Sequence, residues 1–321
     1  MSAPGSSPAS RLAPAWNASA VLDQRPGRTC PVSYRYSARV FDRAPEIVAE
    51  TLYVVGGLYG NVEALDALMA FAARERGPVT FVFNGDFHWF DVAPGDFAAI
   101  EKGVRPHHAI RGNVETEISG EDGGAGCGCA YPAEVSDALV RRSNEILARL
   151  RETARGLEGA RERLAALPMH LVARVGSARV GIVHGDAVSL AGWGFDRDRL
   201  ADPSHRRWVE SMLAQAKVDA FASTHTCTPA LARFDGGLVA NNGAAGMPNA
   251  AGERVGLFTR IGGPGSAFAA LVTGMASWVL GAYVLGFPYP YLTSVAAAVG
   301  AYVVAAALGS APTRALEPQS A

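Results

Sequence analysis

The chain of 321 residues has only four cysteines, too few to staple a fold of this length, so a disulfide framework is excluded. It has no excess of either charge, since 29 Lys and Arg stand against 30 Asp and Glu. A net charge of −1 gives no basic face of the kind that neutralises a phosphate backbone, and nucleic acid is not expected as a partner. Charged residues make up only 18% while apolar ones reach 49%, which excludes a disordered chain. The first twenty residues lack both a basic start and a continuous apolar run, so they do not read as a secretory signal. Rich in Ser, Ala and Pro, residues 1–50 read as an N-terminal extension, partly mobile, that becomes ordered near Tyr34.

The longest absence lies near the other end, where residues 261–313 contain no Asp, Glu, Lys or Arg. Within it, 268–287 and 291–309 are each long enough to cross a hydrocarbon layer about 30 Å thick at about 1.5 Å per residue. Neither shows a polar face, and Pro288-Tyr289-Pro290 joins them tightly. The pattern predicts a C-terminal transmembrane helical hairpin over 265–310 with a tail at 311–321; buried helices of a soluble core are the competing reading. A hairpin returns both flanks to one side. Arg254, Arg260 and Arg314 assign that side, and the rest of the chain, to the cytoplasmic face of the membrane.

Between these ends, residues 51–262 alternate short β-branched runs with helical patterns, as an α/β domain does. Strands are predicted over 52–55, 80–83, 109–110, 171–175, 180–183 and 220–221. Gly236-Gly237 marks a hairpin between 230–234 and 238–240. Leu65, Leu68, Met69 and Ala72 share one face and predict a helix over 61–76, and a single long helix is expected over 134–167, where Pro168 would end it.

Acceptor-bearing residues follow four of these strands: Asp86 after Gly85, Asn113 after Gly112, His184 before Gly185, and His225. In open α/β sheets the ligand crevice lies beyond the carboxyl ends of the strands, so residues distant in sequence can converge there. One carboxylate, one amide oxygen and two imidazoles suit a divalent transition metal such as Mn, Fe or Zn better than calcium. Cys127 and Cys129, separated by one glycine in a glycine-rich loop, form a possible thiol site; a substrate-side loop, a metal ligand pair and a redox pair all remain open.

These segments resemble the calcineurin-like metallophosphoesterase superfamily, in particular its small bacterial phosphodiesterase branch, over roughly residues 52–261. The family's motifs run DxHGN, GD, GN, HG and GHxH, followed by an NPGS-like turn. They appear here as Gly57-Leu58-Tyr59-Gly60-Asn61, Gly85-Asp86, Gly112-Asn113, His184-Gly185 and Thr224-His225-Thr226-Cys227, followed by Asn241-Asn242-Gly243-Ala244. The resemblance implies a four-layer α-β-β-α sandwich of two mixed sheets. It also implies that Asp86, Asn113, His184 and His225 hold one metal and serve as the catalytic residues, all four ligands of that site being present.

For the family's other metal, the three ligands besides the bridging Asp86 are replaced by Gly57, Tyr59 and Cys227. Tyr59, Cys227, His88 and Asp91 are candidates to rebuild that site; alternatively, Gly57 and Tyr59 close the space. Asn61, Arg111 and Asn242 are possible substrate contacts. The expected function is a phosphodiesterase or phosphatase with one intact metal site, one ion and an altered second site, anchored in the membrane and acting on a phosphoester, including a lipid-linked one. The competing reading is a catalytically weak or inactive binding or scaffold protein that keeps the same fold at the membrane.

Overall fold

The computed structural model describes residues 25–262 apart from 76, 122 and 250–254. Two mixed sheets lie face to face. The first has six strands in the order β1-β5-β6-β7-β9-β8, with β1 Ile47–Ala49, β5 His170–Val175, β6 Ala178–Val183, β7 Ala220–Ser223, β8 Ala230–Phe234 and β9 Gly237–Asn241. The second has four in the order β10-β2-β3-β4, with β2 Thr51–Val55, β3 Val79–Asn84, β4 His108–Ile110 and β10 Thr259–Gly262. Strands β2, β3 and β4 run parallel, as do β6, β7 and β9, so the carboxyl ends of β3, β4, β6 and β7 can deliver the residues that follow them to one rim.

Side-chain alternation along the strands decides the layers. On β2, Leu52 and Val54 face the other sheet and meet Val82, Val180, Ile182 and Ala222, while Tyr53 and Val55 face outward onto helices. Those helices are α1 Val62–Ala72, α2 Pro94–Val104, α3 Asn113–Ser119, α4 Asp137–Arg155 and α5 Ala160–Ala165. Phe97, Ile100 and Val104 of α2 share one face at helical spacing and are buried there with Leu147 and Leu150 of α4. The outer face of the larger sheet is covered by α6 Arg197–Ala201 and α7 Arg206–Ala216, through Leu200, Val209, Met212 and Leu213. The result is the α-β-β-α sandwich.

The helix expected over 134–167 is corrected to two. Ser136 caps α4 by accepting from Leu139 N, and the helix stops at Gly156; Gly159 then takes a left-handed φ of 68° and starts α5, which packs back on α3 and α4. Periodicity continued through the break, but the two glycines supply the turn. Residues 25–49 join the fold: Tyr34 and Phe41 are buried, and β1 pairs in parallel with β5 as an edge strand. The segment around Gly27 clips onto the loop before α4. Gly27 N donates to Ala125 O, and Arg28 reaches Pro132 O, Val135 O and Asp137 Oδ1 at 2.6–2.7 Å. Among the described residues no helix is long and apolar enough to cross a membrane; both expected spans, 268–287 and 291–309, lie outside them.

Arg260 of β10 bonds Glu75, just past α1, through Nε at 2.6 Å and Nη2 at 2.8 Å, and Tyr53 OH donates to the same carboxylate at 2.5 Å. The Arg260 hydrogen bonds hold the Glu75 carboxyl below its ordinary value, against the partial burial that opposes them. A depressed carboxyl stabilises the fold fully above the ordinary carboxylate range and loses that contribution as pH falls through the lowered value. Glu75→Gln is expected to lower stability by about 1–2 kcal/mol at neutral pH. Urea unfolding should show the difference shrinking on acidification; a gap that stays constant down to the lowest accessible pH contradicts the ion pair as its source.

Candidate metal centre

Asp86, His184 and His225 come from three loops and Asn113 from the first position of α3, and the four meet in one place, each at most 8% exposed. The Asp86, His184 and His225 ligand atoms lie within 4.8 Å of one another. Around His184 Nε2, Asn113 Oδ1 stands at 3.0 Å, His225 Nδ1 at 3.1 Å and Asp86 Oδ1 at 3.4 Å. Gly112 permits this approach, because a Cβ there would strike Asp86 Oδ1. Asp86 itself takes a left-handed φ of 52°, a conformation that costs about 1 kcal/mol for a residue with a side chain and is met at functional sites.

The outer hydrogen bonds fix which atoms face inward. A carbonyl can only accept, so His184 Nδ1–H donates to Asn84 O at 2.9 Å, His225 Nε2–H to Cys129 O at 3.0 Å and Asn113 Nδ2–H to Cys127 O at 2.9 Å. In the neutral rings, His184 Nε2 and His225 Nδ1 then point bare lone pairs at each other, at the Asn113 carbonyl oxygen and at the Asp86 carboxylate. Four acceptors without a donor among them need a cation. Atoms about 2.1 Å from one cation stand about 3.0–3.4 Å apart in octahedral or tetrahedral arrangements, and the three separations around His184 Nε2 fall in that range. The donor set therefore fits a divalent transition metal.

Charge reports the same need. Burial lowers the His184 imidazole, but Asp86 and its hydrogen bonds outweigh it and leave His184 above its ordinary value. Burial and then the neighbouring His184 push His225 down to about 3.

Beneath the cluster lies a carboxylate that the sequence reading missed. Glu115, fully buried on α3, accepts four backbone N–H groups: Asp86 and Gly112 on Oε2 at 2.8 Å each, and Phe87 and His88 on Oε1 at 3.1 and 3.3 Å. It ties the Asp86 loop to the Asn113 loop. Burial, and then Asp86, raise its pKa, against His88 and the backbone donors. The signal was present in the sequence, since a Glu three residues into a helix after a glycine turn reaches back to free backbone N–H groups.

Gly57, Tyr59 and Cys227 also meet, but with one another. Tyr59 OH stands 2.7 Å from Cys227 Sγ, and the Tyr59 ring lies against Gly57. Burial pushes the Cys227 thiol up to about 11 and, followed by Cys227 and Asp86, raises the Tyr59 hydroxyl, so both stay protonated at neutral pH. His88 and Asp91 bond each other at 2.6 Å; Asp91 also accepts from Trp89 N, and the His88 ring stacks on Phe97. Burial opposes protonation of His88, yet the Asp91 and Glu101 bonds carry it up to about 9.

Of the residues considered for substrate contact, Asn61 caps α1 at Ala64 N and donates to Gly246 O. Arg111 donates to Ala165 O at the end of α5. Asn242 donates to Gly56 O and Leu257 O. Cys127 and Cys129 form a disulfide, and their loop covers the cluster together with Trp193, whose Nε1 donates to Cys129 O at 3.2 Å.

Glu115→Gln replaces one acceptor oxygen with a donor and leaves backbone N–H groups orphaned in the interior. A loss of about 1–3 kcal/mol in unfolding free energy is expected, with metal affinity falling about 10- to 100-fold in equilibrium dialysis. Unchanged metal affinity in the folded variant contradicts the role of Glu115 in holding the two loops together.

The sequence profile of calcineurin-like phosphoesterases matches residues 51–241. Among solved structures, a hypothetical protein from Pyrococcus horikoshii OT3 has a TM-score of 0.50 at 19% identity, over 68% of this chain and 88% of that one. A metallophosphoesterase from Sphaerobacter thermophilus gives 0.45 at 16% identity, over 77% and 99%. Zinc-complexed Vps29 from Entamoeba histolytica gives 0.34 at 14%, over 65% and 84%. No curated protein matches the chain. These structural likenesses concern the fold alone. The profile match spans well over half of the sequence, and the chain belongs to the calcineurin-like phosphoesterase family.

Proposed function

We propose that the protein hydrolyses phosphoester bonds with one divalent transition metal, Mn, Fe or Zn, held by Asp86, Asn113, His184 and His225. The observation that carries this is the meeting of four buried acceptor atoms with no hydrogen-bond donor among them. A cation bound there supplies Lewis acidity toward a phosphoryl oxygen and toward water. The chain's own residues do the rest. Asp86 offsets the cation's charge, and Asn84 O and Cys129 O keep the inward nitrogens of His184 and His225 free of protons. Tyr59 and Cys227, bonded to each other and both neutral, favour one ion over two.

Asp86→Asn keeps the side-chain shape and tolerates the left-handed backbone, so the fold should survive. Metal content should fall at least tenfold, and Mn-supported cleavage of a bis-aryl phosphate at least 100-fold. Equal metal content in the variant and the parent overturns the ligand assignment. Cys227→Ser should leave the stoichiometry at one ion per chain by elemental analysis; a lost equivalent would instead make Cys227 part of a rebuilt second site.

The closed cover over the cluster favours a second reading, a metal-bound ligand-binding or scaffold protein without turnover. Metal-loaded protein that cleaves neither mono- nor diesters supports that reading against the first. The uncharged stretch 261–313 supports attachment to a membrane and, with it, a lipid-linked substrate. In membrane fractions the full chain should resist a carbonate wash while residues 1–262 alone are released; release of both removes the anchor. Equal rates on water-soluble and lipid-linked esters remove the substrate preference.

A further inference from the structure

We propose that the Cys127–Cys129 disulfide is a redox-active strap that sets the affinity of the metal centre: closed, it aims two backbone carbonyls at the ligands, and reduced, it lets them turn away. The proposal rests on the metal-binding reading above.

The bond cannot act as an ordinary staple. Stabilisation by a cross-link grows with the length of chain it closes, and this one closes over a single intervening residue, Gly128. Its influence falls instead on the orientation of the peptide groups within the ring and beside it. Two of those groups carry the oxygens that hold the ligands. Cys127 O accepts from Asn113 Nδ2 at 2.9 Å, and Cys129 O accepts from His225 Nε2 at 3.0 Å. Asn113 Nδ2 also lies 3.5 Å from Cys129 Sγ. One covalent bond therefore fixes the outer partners of two of the four metal-facing side chains.

The strap is held at both shoulders by contacts that do not involve sulfur. Cys127 N donates to Asn144 Oδ1 at 2.9 Å, Gly27 N to Ala125 O at 2.7 Å and Tyr131 N to Gly27 O at 3.0 Å. Opening the disulfide leaves these anchors in place, so the change stays local. The other two cysteines have different neighbours: Cys30 faces Ser189 Oγ at 3.6 Å, and Cys227 faces Tyr59. Cys127 is fully buried and Cys129 is 7% exposed, so a reductant reaches the bond only when the loop opens locally.

The chemistry balances simply. A dithiol attacks one sulfur of the strap, passes through a mixed disulfide and leaves as its own cyclic disulfide, having delivered two electrons and two protons that become the Cys127 and Cys129 thiols. Removing the outer partner of a metal-ligating His typically costs about 10- to 100-fold in metal affinity. By linkage, a bound metal must make the strap harder to reduce by the same factor.

The test uses the full chain and Zn²⁺ or Mn²⁺ as the probe. Affinity is measured on oxidised protein, on protein reduced by a water-soluble phosphine that is then removed by gel filtration without oxygen, and on the Cys127→Ser/Cys129→Ser double variant. Circular dichroism and the unfolding midpoint monitor the fold. Reduction and the double substitution should each raise Kd about 10- to 100-fold with the fold intact, and reoxidation of the parent by oxidised glutathione should restore it. Thiol-labelling mass spectrometry should show the metal-loaded protein requiring a correspondingly higher ratio of reduced to oxidised dithiol to open. If oxidised and reduced protein bind metal equally, or the reduced form binds it more tightly, the strap proposal is overturned and the metal centre stands. If the oxidised protein takes up no metal, the metal-binding reading fails and the proposal falls with it.

Discussion

A lone pair facing another lone pair in a dry interior is costly unless something positive lies between them. That constraint organises the rim of this sandwich. His184 and His225 give their outer N–H groups to carbonyls, and Asn113 does the same with its amide, so every inward atom is an acceptor. Glu115 holds the two loops of the smaller sheet at the separation where this confrontation occurs. The strands from both sheets provide direction, but the electrostatic demand is set by where the outer hydrogen bonds go.

The neighbouring positions show the opposite solution. Tyr59 and Cys227 have inward atoms that both carry a proton and can satisfy each other across 2.7 Å. Their backbones, at φ values of 55° each, share the unusual conformation of Asp86, so these loops have the same tight turns with different tips. A hydroxyl and a thiol in contact need no ion. One side of the rim is electrostatically open, then, and the side next to it is closed.

How much of this was legible depended on whether the signal resided in a side chain. Asp86, Asn113, His184 and His225 each stand just past a predicted strand, and the first three stand beside a glycine, so their convergence could be read from strand ends. The carbonyls of Asn84, Cys127 and Cys129 were invisible, because every residue has one and only the fold decides where it points. Glu115 carries a different signal, because its carboxylate faces backbone N–H groups and not the acceptor cluster. Helix α2 carries a Pro at its start and Phe97, Ile100 and Val104 on one face, signals as plain as those of α1, yet it was not among the predicted elements. The long helix failed for a different reason: apolar spacing survives across Gly156 and Gly159, but left-handed backbone does not propagate a helix.

The clip formed by Gly27 and Arg28 has a consequence for the order in which the molecule is built. These residues leave the ribosome early, but their partners between Ala125 and Asp137 are made about a hundred residues later, and β1 must wait longer still for β5. Pairings this distant along the chain form slowly because the intervening loop has to be closed first. Every partner of the clip nonetheless precedes His184 and His225 in the chain, and β2 must wait for β10 longer than any of them, so the N-terminal segment can be fastened before the acceptor cluster beneath it is complete.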